Sequence, residues 1–177
     1  IVVQLRIFIT NPINYIGSVA RIKLGMQDCL YLGNLDAQRD WGHAKDYVEG
    51  MWRMLQQDTP DDYVLATGVT TTIRDFATMA FKEADISLAW RGKGAEEEGF
   101  CPETGNVLVK VDPRYFRPAE VELLVGDATK AHDILGWKAS TSLSALCREM
   151  VQFDLDLFKR DAYLQAGGHD VVSPTDH

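Results

Sequence analysis

A chain of 177 residues, 46% of them apolar, can bury one core, and it reads as one domain or as one half of a larger protein. Its 26 acidic and 18 basic residues give a formal charge of −8, which argues against a nucleic-acid surface, because phosphate backbones call for a basic stripe. The three scattered cysteines, Cys29, Cys101 and Cys147, do not form a disulfide framework and suit free thiols in the cytoplasm. No stretch has the length and apolarity of a membrane span.

The opening IVVQLRIFI is apolar but interrupted by Gln4 and Arg6, and it reads as a buried strand. CLYLGN (29–34) is a short strand ending in a Gly-Asn turn. DWGHAKDYVEGMWRMLQQD (40–58) predicts a helix, with Ala44, Tyr47, Val48, Met51, Trp52 and Leu55 on its apolar face and Asp40 near its start as a cap. DYVLATG (62–68) predicts a strand. TTIRDFATMAFKEAD opens with Thr72 and Asp75 in capping-box spacing and continues as a helix. ISLAW (86–90) and NVLVKVD (106–112) predict strands on either side of a polar, Gly-rich loop, 91–105. GDATKAHDILGW predicts a short helix capped by Asp127 and ended by Gly136. A long helix follows over 140–161, with Leu143, Leu146, Met150, Phe153 and Leu157 turned inward, and the tail beyond reads as loosely ordered. Such alternation implies an α/β layered fold with few, short strands.

Two stretches could hold an anion. Arg39 stands just before the predicted 40–58 helix, where free amides and the helix dipole favour negative charge and a guanidinium adds a two-pronged donor. The other reading of Arg39 is a surface ion pair with Asp36 or Asp40. In DPRYFRPAEVE (112–122), Pro118 stiffens the backbone beside Arg117, which suits a pair of pyrophosphate oxygens, and Glu120 can accept from sugar hydroxyls. The other reading there is a local Arg–Glu pair.

His43 and Asp46, and the run Glu96–Glu98, supply too few donors for a metal set. No Gly-x-Gly-x-x-Gly occurs, no tyrosine is followed four residues later by lysine, and no nucleophile elbow is present. No catalytic residue is therefore assigned within the chain.

LYLGNLDAQRDWGHAKDYVEGMWRMLQQD, DYVLATG, VDPRYFRPAEVE and GDATKAHDILGWK together closely resemble the C-terminal half of the GDP-mannose 4,6-dehydratases, a family of extended short-chain dehydrogenase/reductases. The resemblance runs from about Ala20 to about Arg160 and is carried most specifically by RDWGHAKDYV and RYFRPAEVE. It implies a small C-terminal substrate-binding domain over 20–161, a divergent segment 1–19, a tail 162–177 and a Rossmann half missing from these residues. In TNPINYIGSV (10–19) the chain has no lysine or arginine, where the family carries a basic segment.

By the same resemblance, Arg39 and Arg117 would grip the diphosphate of GDP-mannose from two sides, Glu120 would hold the ribose hydroxyls, and Asn34 would line the pocket. NADP, bound by the missing half, would take hydride from C4 of the mannose. A carboxylate would remove the C5 proton, water would leave from C6, and hydride would return there, giving GDP-4-keto-6-deoxymannose. This chain would supply positioning, would be inactive alone, and when full length would be a cytoplasmic homo-oligomer. Two other readings compete: a non-catalytic nucleotide-sugar binding module, and a related nucleotide-sugar epimerase or reductase.

Overall fold

The computed structural model describes residues 12–115 and 125–171. The expected strand at the N-terminus lies outside the described residues, as does the segment carrying Arg117 and Glu120. The first described element is a helix, α1 (Pro12–Lys23), which begins within the segment read as divergent.

Two expected strands form the centre of the fold. β1 (Leu30–Leu32) buries Leu30 and Leu32 and exposes Tyr31, the alternation of a strand with one covered face. It pairs in parallel with β6 (Val107–Val111), Leu30 opposite Val109 and Leu32 opposite Val111. The polar loop 91–105 contains structure that its composition conceals. β4 (Ala89–Arg91) turns through a short 3-10 segment, Gly94–Glu96, into β5 (Glu98–Phe100), and β5 bonds antiparallel to both β4 and β6. The resulting sheet has the order β1-β6-β5-β4. The charged row Arg91, Glu98, Lys110 pairs across it, which a hydrophobicity pattern cannot reveal.

The main core lies where α1, α3 (Ile73–Glu83) and α5 (Leu143–Ala166) pack on one another against β1 and β6. Helix α3 starts as its spacing predicts: the Thr72 hydroxyl accepts from the Asp75 amide at 3.0 Å and meets the Asp75 carboxylate at 2.7 Å. Helix α5 corrects the expectation in two ways. It runs past Asp161 to Ala166. Its buried line is Cys147, Val151, Leu155 and Phe158, while Phe153, expected inside, is 66% exposed. Leu143, Leu146 and Met150 flank the core half-buried, so the true stripe is rotated from the predicted one by part of a turn.

A second, smaller core joins α2 (Ala44–Leu55) to α4 (Thr129–Leu135) through Tyr63, Ala131, Leu135 and Trp137. Asp127 accepts from the Thr129 amide and hydroxyl, while Ala128 occupies the cap position itself. Gly136 ends α4 in the left-handed conformation, φ 61°, as expected of a glycine there. Helix α2 is turned differently from its apolar pattern. Val48, Trp52 and Leu55 are 60%, 60% and 64% exposed. The side facing the protein carries Asp46 and Gly50, and the bare Gly50 admits Leu65 and the Trp137 indole.

Residues 62–67 carry no strand assignment. Tyr63 is buried and Leu65 packs on Gly50, yet among the described residues no backbone–backbone hydrogen bond involves residues 63–66. Their side chains have neighbours, but no described strand pairs with them.

Candidate functional site

The turn after β1 is closed by its own residues. The Asn34 side-chain oxygen accepts from the Asp36 amide at 3.0 Å, leaving the side-chain NH2 with no partner among the described residues. Leu32 accepts from the Asp112 amide at 2.8 Å, which brings the start of DPRYF alongside. Gly33 is required here, because a β-carbon would overlap the Tyr115 carbonyl oxygen. The structure therefore joins the LGN turn to the first residues of the 112–122 stretch, two features far apart in sequence.

Arg39 is not at a helix start. It lies in β2 (Gln38–Asp40), paired antiparallel with β3 (Thr70–Thr72) and opposite Thr71. Helix α2 begins only at Ala44, with His43 as its cap: the ring Nδ1 accepts from the Lys45 amide at 3.0 Å. The dipole argument for Arg39 therefore fails, as does the expected cap by Asp40. The Arg39 Nη1 donates to the Gln38 carbonyl at 2.8 Å. Both carboxylates named as its surface partners have other engagements. Asp36 accepts from Arg74, and Asp40 accepts from the Thr67 hydroxyl and the Thr67 and Gly68 amides at 2.5, 3.2 and 2.9 Å.

Arg74 was not identified from the sequence. Its Nε and Nη2 donate to the two oxygens of buried Glu97 at 2.7 and 2.8 Å, and its Nη1 donates to Asp36 at 2.7 Å. Hydrogen bonding to Glu97, then to Asp36, pushes the Arg74 guanidinium further toward its charged form. The α3 backbone acts at the same place: the Ile73 and Arg74 amides donate to the Ala37 and Leu35 carbonyls, each at 3.0 Å. The only sequence signal was an isolated arginine in the first turn of a helix and a run of glutamates that reads as solvated.

In DPRYF, Arg114 binds Asp112 two-pronged, with contacts from 2.6 to 3.1 Å. The Arg114 hydrogen bonds hold the Asp112 carboxyl below its ordinary value. Arg117 and Glu120 lie outside the described residues. Trp41 stacks on Phe76 with ring centres 4.5 Å apart, and its buried indole N–H has no acceptor among the described residues.

His43 and Asp46 serve the fold. His43 faces Glu149 of α5 at 3.4 Å. Asp46 accepts from the Ser140 hydroxyl at 2.7 Å and the Thr141 amide at 3.0 Å. Among the described residues no group of three or more His, Cys, Asp or Glu is placed to hold a metal, and no helix is long and apolar enough to cross a membrane.

The model of the GDP-mannose 4,6 dehydratase family matches residues 4–150. The chain belongs to the GDP-mannose 4,6-dehydratase family. The match begins upstream of Ala20, where the sequence resemblance was placed, and takes in most of the segment read as divergent. Among relatives of the family, the GDP-mannose 4,6-dehydratase of Sinorhizobium fredii is 57% identical, over 86% of this chain and 43% of the relative. The human GDP-mannose 4,6 dehydratase is 50% identical, over 86% of this chain and 40% of the relative. The chain thus spans less than half the length of these relatives.

Solved structures share the fold at low identity. RMD from Pseudomonas aeruginosa, complexed with NADPH, aligns with a TM-score of 0.65 and 20% identity, over 82% of this chain and 42% of that one. UDP-glucose 4-epimerase from Bifidobacterium longum, in complex with NAD+ and UDP, aligns with a TM-score of 0.59 and 18% identity, over 85% and 40%. The fold is a partial domain of the extended short-chain dehydrogenase/reductase type.

Proposed function

We propose that residues 20–161 form the substrate-binding half of a GDP-mannose 4,6-dehydratase. The observation that carries this reading is the contact of the Asn34 turn with the start of the 112–122 stretch, in a chain of that family whose next strand, β2, carries Arg39. Arg39 supplies a forked cation suited to a diphosphate, Arg117 a second, Glu120 an acceptor for ribose hydroxyls and Asn34 an amide donor. The Trp41 N–H, two residues from Arg39 and without an acceptor among the described residues, fits a site completed by groups from outside this chain.

NADP supplies the hydride transfer in this reading. The chain has no Gly-x-Gly-x-x-Gly and no Tyr-x-x-x-Lys, so its residues do not fit that cofactor, which is assigned to the rest of the enzyme. The work of these residues is to bind and orient the nucleotide sugar, and the isolated half forms no product. The exposed ridge Val48, Trp52, Leu55 suits a face that packs on the missing half. A cytoplasmic, homo-oligomeric full-length enzyme belongs to the same proposal.

The test is a calorimetric titration of the chain with GDP-mannose, repeated with Arg39→Ala and Arg117→Ala. Saturable binding lost in both variants is expected. Binding that survives both substitutions would remove the diphosphate clamp from the proposal.

A further inference from the structure

We propose that Arg74 is a positioning residue that fixes where Arg39 is presented, an inference that rests on the reading of Arg39 as a diphosphate contact. β2 has three residues, all half-buried, and among the described residues its only strand partner is β3, also of three residues. Such a two-stranded ribbon is marginal by itself. The structure ties it at both ends. At the far end Asp40 accepts from Thr67 and Gly68. At the near end the Arg74 and Ile73 amides hold Leu35 and Ala37, and the Arg74 side chain holds Asp36. Arg39 lies between the two ties.

The arrangement of the near tie favours positioning over folding stability. Glu97, 8% exposed, takes two prongs of the guanidinium and so fixes its plane. The remaining nitrogen then points at Asp36, whose side chain is 74% exposed. An ion pair with so exposed a partner adds little to folding. It does determine where the turn sits, and the turn carries both Asn34 and the entry to β2.

Asp36 makes the inference testable by sign. Removing a carboxylate beside an anion site strengthens anion binding if charge alone matters. Removing the tie weakens binding if position matters. The measurement is the affinity of the chain for GDP, the probe, in wild type, Asp36→Ala, Arg74→Lys, Arg74→Met and Arg39→Ala. Circular dichroism is recorded for each variant. The expected result is at least threefold weaker GDP binding in Asp36→Ala and at least tenfold weaker binding in Arg74→Met. Arg74→Lys should recover part of the loss, because it keeps the charge but not the fork. Unchanged or tighter binding in Asp36→Ala, with binding lost in Arg39→Ala, overturns the positioning role and leaves the diphosphate reading standing. GDP binding by wild type that Arg39→Ala does not weaken, or no binding by wild type, overturns both. Should Arg74→Met fail to fold, Asp36→Ala decides alone, since its side chain is mostly in solvent.

Discussion

The indole N–H of Trp137 donates to the main-chain carbonyl of Asp46 at 2.6 Å, across ninety-one positions of sequence. The Asp46 carboxylate meanwhile accepts from Ser140 and Thr141. One residue thus ties α2 to the strap between α4 and α5 through both its backbone and its side chain. Burial pushes the Asp46 carboxyl up, but the hydrogen bonds from Ser140 and Thr141 outweigh it and hold the group below its ordinary value.

Asp46→Ala leaves the part-buried Ser140 hydroxyl and Thr141 amide without their acceptor, and a hydrogen bond to a charged group contributes about 1.5–3 kcal/mol. The expected loss in chemical denaturation is therefore about 2–3 kcal/mol. A loss below ~0.5 kcal/mol, the scale of an ordinary surface substitution, would show that the strap does not depend on this carboxylate.

The same group sets part of the acid limb. Its folded value is depressed, so its contribution is complete above the unfolded value of about 4 and is lost as pH falls through the folded value. Wild type should lose stability relative to Asp46→Asn as pH drops below that point. Parallel pH–stability curves for the two proteins would contradict the assignment.

Cys147 is buried in the main core, and burial, with the charge of Glu83 adding to it, pushes its thiol up to about 12. The reactive species is the thiolate. In the native protein at pH 8, a thiol reagent should label half-buried Cys101 first and reach Cys147 only on unfolding. Native labelling of Cys147 at the rate of Cys101 would mean that the α5 core opens readily.

Trp52 sits on the exposed ridge of α2, with 60% of its surface in solvent. Trp52→Ser should change folding stability by no more than about 0.5 kcal/mol while lowering the binding of an apolar dye. A stability loss above ~2 kcal/mol, the scale of a buried large-to-small change, would place that side chain in a core of this chain.

Gly33→Ala tests the contact between the LGN turn and the 112–115 segment. A β-carbon there meets backbone, which cannot swing away as a side chain would. The expected cost is about 1–3 kcal/mol, with GDP-mannose binding weakened in parallel. Full stability and binding would separate the turn from the stretch it touches.

The sequence by itself determined the features that depend on near neighbours. The Thr72–Asp75 cap, the Gly136 stop and the Asn34 turn rest on contacts within a few residues, and the β1 and β6 runs are marked by their own β-prone residues, so each was legible. Family membership was legible for the same reason, through unbroken strings of residues. Only the tertiary structure decided what depends on distant partners. Gln38–Asp40 and Thr70–Thr72 are polar triplets with no apolar alternation, and they become strands because they meet each other. Which side of α2 faces inward is decided by Trp137 and Leu65 arriving at Gly50, not by the helix's own apolar stripe. Arg74 and Glu97 lie twenty-three positions apart and show nothing of their pairing until the β4–β5 hairpin folds back. Local rules describe one residue's backbone choices, whereas burial and ion pairing depend on which other segment occupies the adjoining space.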